Sequence, residues 1–257
     1  MYHKKYSLEI IVFITGAVTM CLEIVGSRLL APYVGTSLPV WTSIIGVILA
    51  ALSLGYWWGG KLADVRPRIE QLATILLASG AAFVLLALSS GKIFLILGSF
   101  NISFITAALL AAVMLLAVPS VLMGMVSPYA ARLKLNGLEH AGATVGSLSA
   151  LATVGSIVGT FLAAFVLLGY LGSYKILLVL GLTMTLLSLL AAPAKGYRLA
   201  VMVLVVFFVI SALYKPQAAH GPVLLDTDTP YNRVTVEERD NVRTLYIGGA
   251  AHSAISL

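Results

Sequence analysis

The sequence predicts an all-α polytopic membrane protein of about seven transmembrane helices, followed by a short C-terminal β-hairpin segment. Three observations lead there. Hydrophobic residues make up 60% of the chain and charged residues 10%, with a mean hydropathy of +1.02. A soluble domain carries roughly a quarter charged residues, so this chain has too few polar groups to face water, and the lipid bilayer is its expected partner. Apolar runs long enough to span a bilayer, which takes about 20 residues as a helix, recur along the chain. Finally, Lys and Arg gather in alternate connections, as they do in cytoplasmic loops. The net charge of +6 does not point to nucleic acid, because the bases are scattered over short loops and form no stripe. Attraction to anionic headgroups accounts for them better. Cys21 is the single cysteine, which excludes an intrachain disulfide.

The first element is expected over residues 8–26. A basic opening, MYHKKYS, before an apolar run has the form of a signal peptide. This run is too long for one, is interrupted by Glu9 and Glu23, and is followed by no A-x-A site, so it reads as a retained helix. Further spans are expected at 38–60, 70–90, 103–127, 143–169, 172–192 and 198–214, completing a transmembrane domain over residues 1–214. IFLILGSF at 93–100 is too short to span alone and reads as a re-entrant or interfacial piece. One side of the membrane collects Lys4, Lys5, Lys61, Arg66, Arg68, Arg132, Lys134, Lys195 and Arg198. The other collects Arg28, Lys92 and Lys175. That asymmetry places the amino terminus in the cytoplasm and the protein in the plasma membrane. An odd number of spans would then put the tail, residues 215–257, outside.

The tail changes character. RVTVEE and VRTLYI alternate in the manner of strands, with Arg239-Asp240-Asn241 as the turn between them. A lone hairpin is marginal in water, so it is expected to dock on a partner or on a second copy. The acids Asp226, Asp228, Glu237, Glu238 and Asp240 read as a solvated face.

Few residues can carry chemistry. Glu23 is the most costly side chain in the chain, because a carboxylate near hydrocarbon must be paired, hydrated or protonated. Arg28 is its nearest base, but five residues of regular helix put the two on nearly opposite faces. They form either an intramembrane polar site or an interfacial pair that reaches water. Glu9 is expected to pair with Lys5 one turn earlier. Pro119, Gly124 and Pro128 fall within one apolar helix and predict a kink, either lining a cavity or static. Small residues recur every four positions at Gly142, Gly146 and Ala150, then at Gly155, Gly159 and Ala163. Ala51, Gly55 and Gly59 form a similar stripe. Both predict close helix packing, and the two stripes are expected to face each other. There is no P-loop, no G-x-G-x-x-G after a strand, no metal-ligand spacing and no Ser-His-Asp set. No catalytic residue, metal site or cofactor is expected in this chain.

GGKLADVRPR, residues 59–68, resembles the loop between the second and third helices of major facilitator transporters. Four stretches together resemble a more specific family: EIVGSRLLAPYVGTSLPVWTSIIGVILAALSLGYWWGGKLAD, the P-S-x-L-M-G-x-x-x-P segment at 119–128, LSALATVGSIVGTFLAAFVL, and DTPYNRVTVEERDNVRTLYIGGAAHSA. They are similar to membrane proteins in which a transporter-like helical region precedes a spermidine synthase (polyamine aminopropyltransferase) domain. The resemblance implies that the tail is similar to the amino-terminal strands of the synthase fold, which help build the active-site rim and the oligomer contact.

Where soluble members place a Gln soon after a Tyr, this chain has Asn232 after Tyr231. Where they read D-G-x-x-Q, it has Gly248-Gly249-Ala250-Ala251-His252. Tyr231, Asn232 and His252 are therefore the positions the resemblance assigns to substrate, with the family's acid and Gln absent. The donor-binding loop and catalytic acid of the family would lie beyond Leu257, so aminopropyl transfer by this chain alone is not expected. Three readings follow. The chain is a membrane module of a spermidine synthase-like system, either a truncated or split gene product or a module working with a second copy or a separately encoded synthase-like domain. Otherwise it is a transporter-like protein moving a small cationic or amphipathic metabolite, or it is a structural anchor.

Overall fold

A computed structural model describes residues 7–98, 100, 102–135, 137, 140–191, 201, 204–205, 207–208, 223–229, 233–239, 241–247 and 250–257. The chain is mostly helical, and six of its helical segments are long and apolar enough to cross a membrane. Helix α1 (Ser7–Val34) continues past the expected end at residue 26, running through Gly26 and Pro32 to stop at Gly35. Gly35 has φ +65°, and its N–H bonds the Ala31 carbonyl at 2.9 Å, an αL stop that glycine adopts without steric cost. Helix α2 (Leu38–Val65) starts at the Ser37-Leu38-Pro39 step with proline in its first turn, where a missing N–H costs nothing.

Helix α3 (Ile69–Gly98) is one continuous helix. The segment 93–100 is therefore not a separate re-entrant piece but largely the last turns of α3, since Gly91 just before it does not interrupt the helix. Helix α4 (Phe104–Lys134) runs unbroken through Pro119 and Pro128 and starts at a Ser103 cap that accepts from the Thr106 N–H. Helix α5 (Ala141–Leu162) passes into a π turn (Ala163–Leu167) and a short α6 (Leu168–Tyr170). Helix α7 (Gly172–Ala191) completes the six spans. The expected seventh span, 198–214, falls mostly outside the described residues; Val201, Leu204, Val205, Phe207 and Phe208 within it are helical.

The bundle is built from three tightly packed pairs, α1 with α5, α2 with α4 and α3 with α7, joined through α1 and α4 and through α3 and α4. Glycines make each pair close. A Cβ on Gly124 would lie 2.7 Å from the Leu52 carbonyl oxygen, one on Gly59 would lie 2.6 Å from the Met125 Cα, and Gly55 faces Val121 and Gly124. In α5, Gly155 abuts the Phe13 backbone and Gly159 the Ala17 backbone. The two small-residue stripes therefore do not meet. Each seats a different helix, since Gly55 and Gly59 lie against α4 while Gly155 and Gly159 lie against α1. Gly142 and Gly146 face open space.

One end of the bundle carries a polar lattice. The Tyr129 hydroxyl, on a side chain buried completely, donates to the Arg66 carbonyl and accepts from the Arg68 N–H at 3.3 Å. Arg132 pairs with Asp64 at 3.1 Å, and Lys134 with Glu9 at 2.8 Å. Lys61 sits 3.8 Å over the Trp57 ring, as suits an interfacial aromatic. Among the described residues the Glu9 partner is thus Lys134 of α4; the expected partner, Lys5, lies outside them. Sequence distance hid this pair, which antiparallel packing of α1 and α4 brings together.

The tail is broader than a hairpin. β1 (Val223–Asp228), β2 (Arg233–Arg239), β3 (Val242–Ile247) and β4 (Ala250–Ser256) form an antiparallel sheet in the order β1-β2-β3-β4. The expected hairpin is its centre, with Glu238 opposite Arg243 and bonded to it at 2.8 Å. Asn241 takes φ +65° in the turn and its side-chain amide donates to the Leu257 carbonyl at 2.8 Å, tying β4 to the turn.

Candidate functional site

The site is assembled from the α1–α4 seam. Thr19 Oγ1 lies 3.7 Å from Met123 Sδ, and Gly26 lies against Leu116. The second contact is seven residues further along α1 and seven back along α4, so the helices run antiparallel in steady register. Carrying that register from Thr19 puts Glu23 level with Pro119 and one residue from Ser120. On the other side of α1, Phe13 meets Gly155 and Ala17 meets Gly159, a parallel register. Carried forward, it puts Glu23 at the height of the π turn of α5.

Glu23 is half-buried, and among the described spans it is the one acid lying more than a turn from a helix end. It stands about 20 Å along the axis from Glu9 at about 1.5 Å per residue, against a hydrocarbon core about 30 Å thick. Its place on the helical wheel is between the α4-facing residues Thr19 and Gly26 and the α5-facing residues Gly16 and Met20, so it looks toward the groove between α4 and α5. Among the described residues, no hydrogen bond or ion pair reaches its carboxylate. Helix α1 does not unwind at Gly26, so Arg28 stays on nearly the opposite face.

Two hydroxyls on the same seam are also without partners. Thr15 is 5% exposed and Ser120 0% exposed, and neither side-chain oxygen has a hydrogen bond. Other helical hydroxyls bond back to a carbonyl one turn earlier: Ser43 to Pro39, Ser79 to Ile75 and Thr185 to Gly181, and on the seam itself Thr19 to Thr15. That local bond is the default inside apolar helices. Its absence sets Thr15 and Ser120 apart.

The backbone is irregular at this level too. Pro119 has no N–H, so the Leu115 carbonyl loses its intrahelical donor. In α5 the Leu168 N–H reaches back five residues to Ala163, and π turns of this kind concentrate at functional sites. A carboxylate, a hydroxyl and freed carbonyls together make a hard oxygen donor set.

The remaining expected site residues are dispersed. Pro119 lies level with Glu23, Gly124 belongs to the α2 contact, and Pro128 sits one residue from Tyr129. His252 is on exposed β4. Tyr231 and Asn232 lie outside the described residues. Thr15, Thr19 and Ser120 were not foreseen, although the four-residue spacing of Thr15, Thr19 and Glu23 was a legible signal. Among the described residues no cluster of His, Cys, Asp or Glu has the form of a metal site.

These features define an integral membrane module carrying an extramembrane antiparallel sheet. The chain matches no family model, no curated protein and no solved structure.

Proposed function

We propose that the chain is the membrane module of a spermidine synthase-like system, with the amino terminus in the cytoplasm of a cell bounded by the plasma membrane. The observation that carries the reading is the tail sheet. In β2 and β3, residues 234–238 and 244–247 are only partly covered on both faces, while β4 is exposed from Ala251 to Ser256. Leu224, Leu225, Ile255 and Leu257 are apolar and exposed. A sheet with an uncovered face and an open edge strand is stabilised by a docked partner. The sequence resemblance names that partner as a synthase-like domain, supplied separately or by a second copy.

The test is co-expression with a soluble spermidine synthase-like domain. The domain is expected in the membrane fraction with the intact chain and in the soluble fraction with Ile255→Asp and Leu257→Asp. The chain alone, given decarboxylated S-adenosylmethionine and putrescine, is expected to form no spermidine. Turnover by the chain alone, or a domain that ignores it, contradicts the reading.

A second reading is favoured by Glu23. An unpaired carboxylate within a span is retained at a cost of several kcal/mol, and transport of a small cationic or amphipathic metabolite would account for it. Under this reading Glu23→Gln abolishes flux in vesicles. Equal flux in wild type and variant would leave the bundle an anchor.

A further inference from the structure

The α1–α4 seam has more than one lone acid to explain. Among the described residues Glu23 has no hydrogen-bond or ion-pair partner, Ser120, one residue from its level on α4, is completely buried with its hydroxyl unbonded, and Thr15, eight residues earlier on α1, is the second such hydroxyl. Thr19, between Thr15 and Glu23, points toward Met123. Two backbone irregularities, the proline of α4 and the π turn of α5, fall at the same height. Each feature alone has a bland explanation. Glu23, Ser120, the proline and the π turn coincide at one level of the bundle, with Thr15 about 12 Å away along α1, and that coincidence is what a ligand taking oxygen donors and bringing one positive charge would account for.

We propose that Glu23 and Ser120 bind a single small monovalent cation within the membrane. One carboxylate neutralises one charge, which argues against a divalent ion held by these residues. The ligands are oxygens without a thiolate or imidazole, the set that hard cations prefer. Both lone pairs of Ser120 Oγ are open to a cation, since no donor bonds the oxygen. Glu23 is half-buried, so an ion reaches it from the groove between α4 and α5 without the bundle opening. The inference deepens the transport reading by naming the charge class of the ligand, but binding itself does not require that any solute move.

Equilibrium binding of radioactive sodium to the purified full chain in detergent tests this, with choline replacing sodium to hold ionic strength. Saturable binding of about one ion per chain is expected for wild type, with none in Glu23→Gln. Ser120→Ala removes one oxygen and leaves the charge, and is expected to weaken binding about tenfold with the folded state retained. Competition names the source of the cation. Displacement by methylammonium assigns an amine head group, and displacement by lithium alone assigns an inorganic ion; both support the site. No saturable binding in wild type, or equal binding in wild type and Glu23→Gln, overturns it. Should Glu23→Gln fail to fold, equal affinity in wild type and Ser120→Ala overturns it instead. Sodium binding without flux would retain the site and remove only the transport reading.

Discussion

Tyr129 and Arg132 lie one turn apart on α4, yet the chain relies on them unequally. The Tyr129 ring is fully buried and its hydroxyl joins two backbone groups of the Arg66–Arg68 connection. Arg132 and Asp64 form an exposed pair. Removing the buried hydroxyl costs about 1 kcal/mol or somewhat more, whereas an exposed ion pair contributes between about 0 and 1 kcal/mol. Tyr129→Phe is therefore expected to lower the melting temperature in detergent by a few degrees and to speed tryptic cleavage after Arg68. Arg132→Ala is expected to change either little. A larger loss from Arg132→Ala would reverse the assignment. At this scale the sequence was partly legible. The cost of Glu23 follows from composition alone, but the partner of Glu9 does not. Lys134 is brought to it by helix pairing, and the nearer candidate, Lys5, was favoured only by spacing.

Three glycine-mediated contacts hold the helices in pairs, and they differ from the unoccupied glycines by what stands opposite. A side chain at Gly159 would meet the Ala17 backbone, which cannot rotate away. Overpacking of this kind costs typically 1–3 kcal/mol, and more where backbone meets backbone. Gly159→Val is expected to reduce the yield of folded protein severely, and Gly124→Val likewise through Leu52 and Gly55. Gly146→Ala should leave yield and melting temperature unchanged or slightly raised, since nothing lies within 4 Å and alanine is the better helix former. Gel-filtration profiles of the three variants check this, and three equal profiles would contradict it. The spacing of small residues showed that close packing would occur. It could not show which helix each stripe meets, because a glycine carries no chemical label for its partner. The tail has the same limit: alternation revealed β2 and β3, while Ala250-Ala251-His252-Ser253, poor in β-branched and aromatic residues, gave β4 no signal.

At the scale of the molecule, hydropathy carried most of the fold. The six described spans arise from runs that cannot be solvated, and short connections force neighbouring helices to reverse direction. Two independent contacts agree with that reversal. Glu9 at the start of α1 meets Lys134 at the end of α4, and Tyr129 near that same end holds the α2–α3 connection. Alternation across the bilayer is thus the claim on which site depth, charge asymmetry and tail placement all depend. Single-cysteine mapping tests it most directly, in a Cys21→Ala background carrying Ser37→Cys, Pro67→Cys, Phe100→Cys, Leu135→Cys or Tyr170→Cys. With a membrane-impermeant maleimide on intact cells, positions 37, 100 and 170 are expected to label, and positions 67 and 135 only after permeabilisation. Labelling of two consecutive connections from the same side would contradict the account.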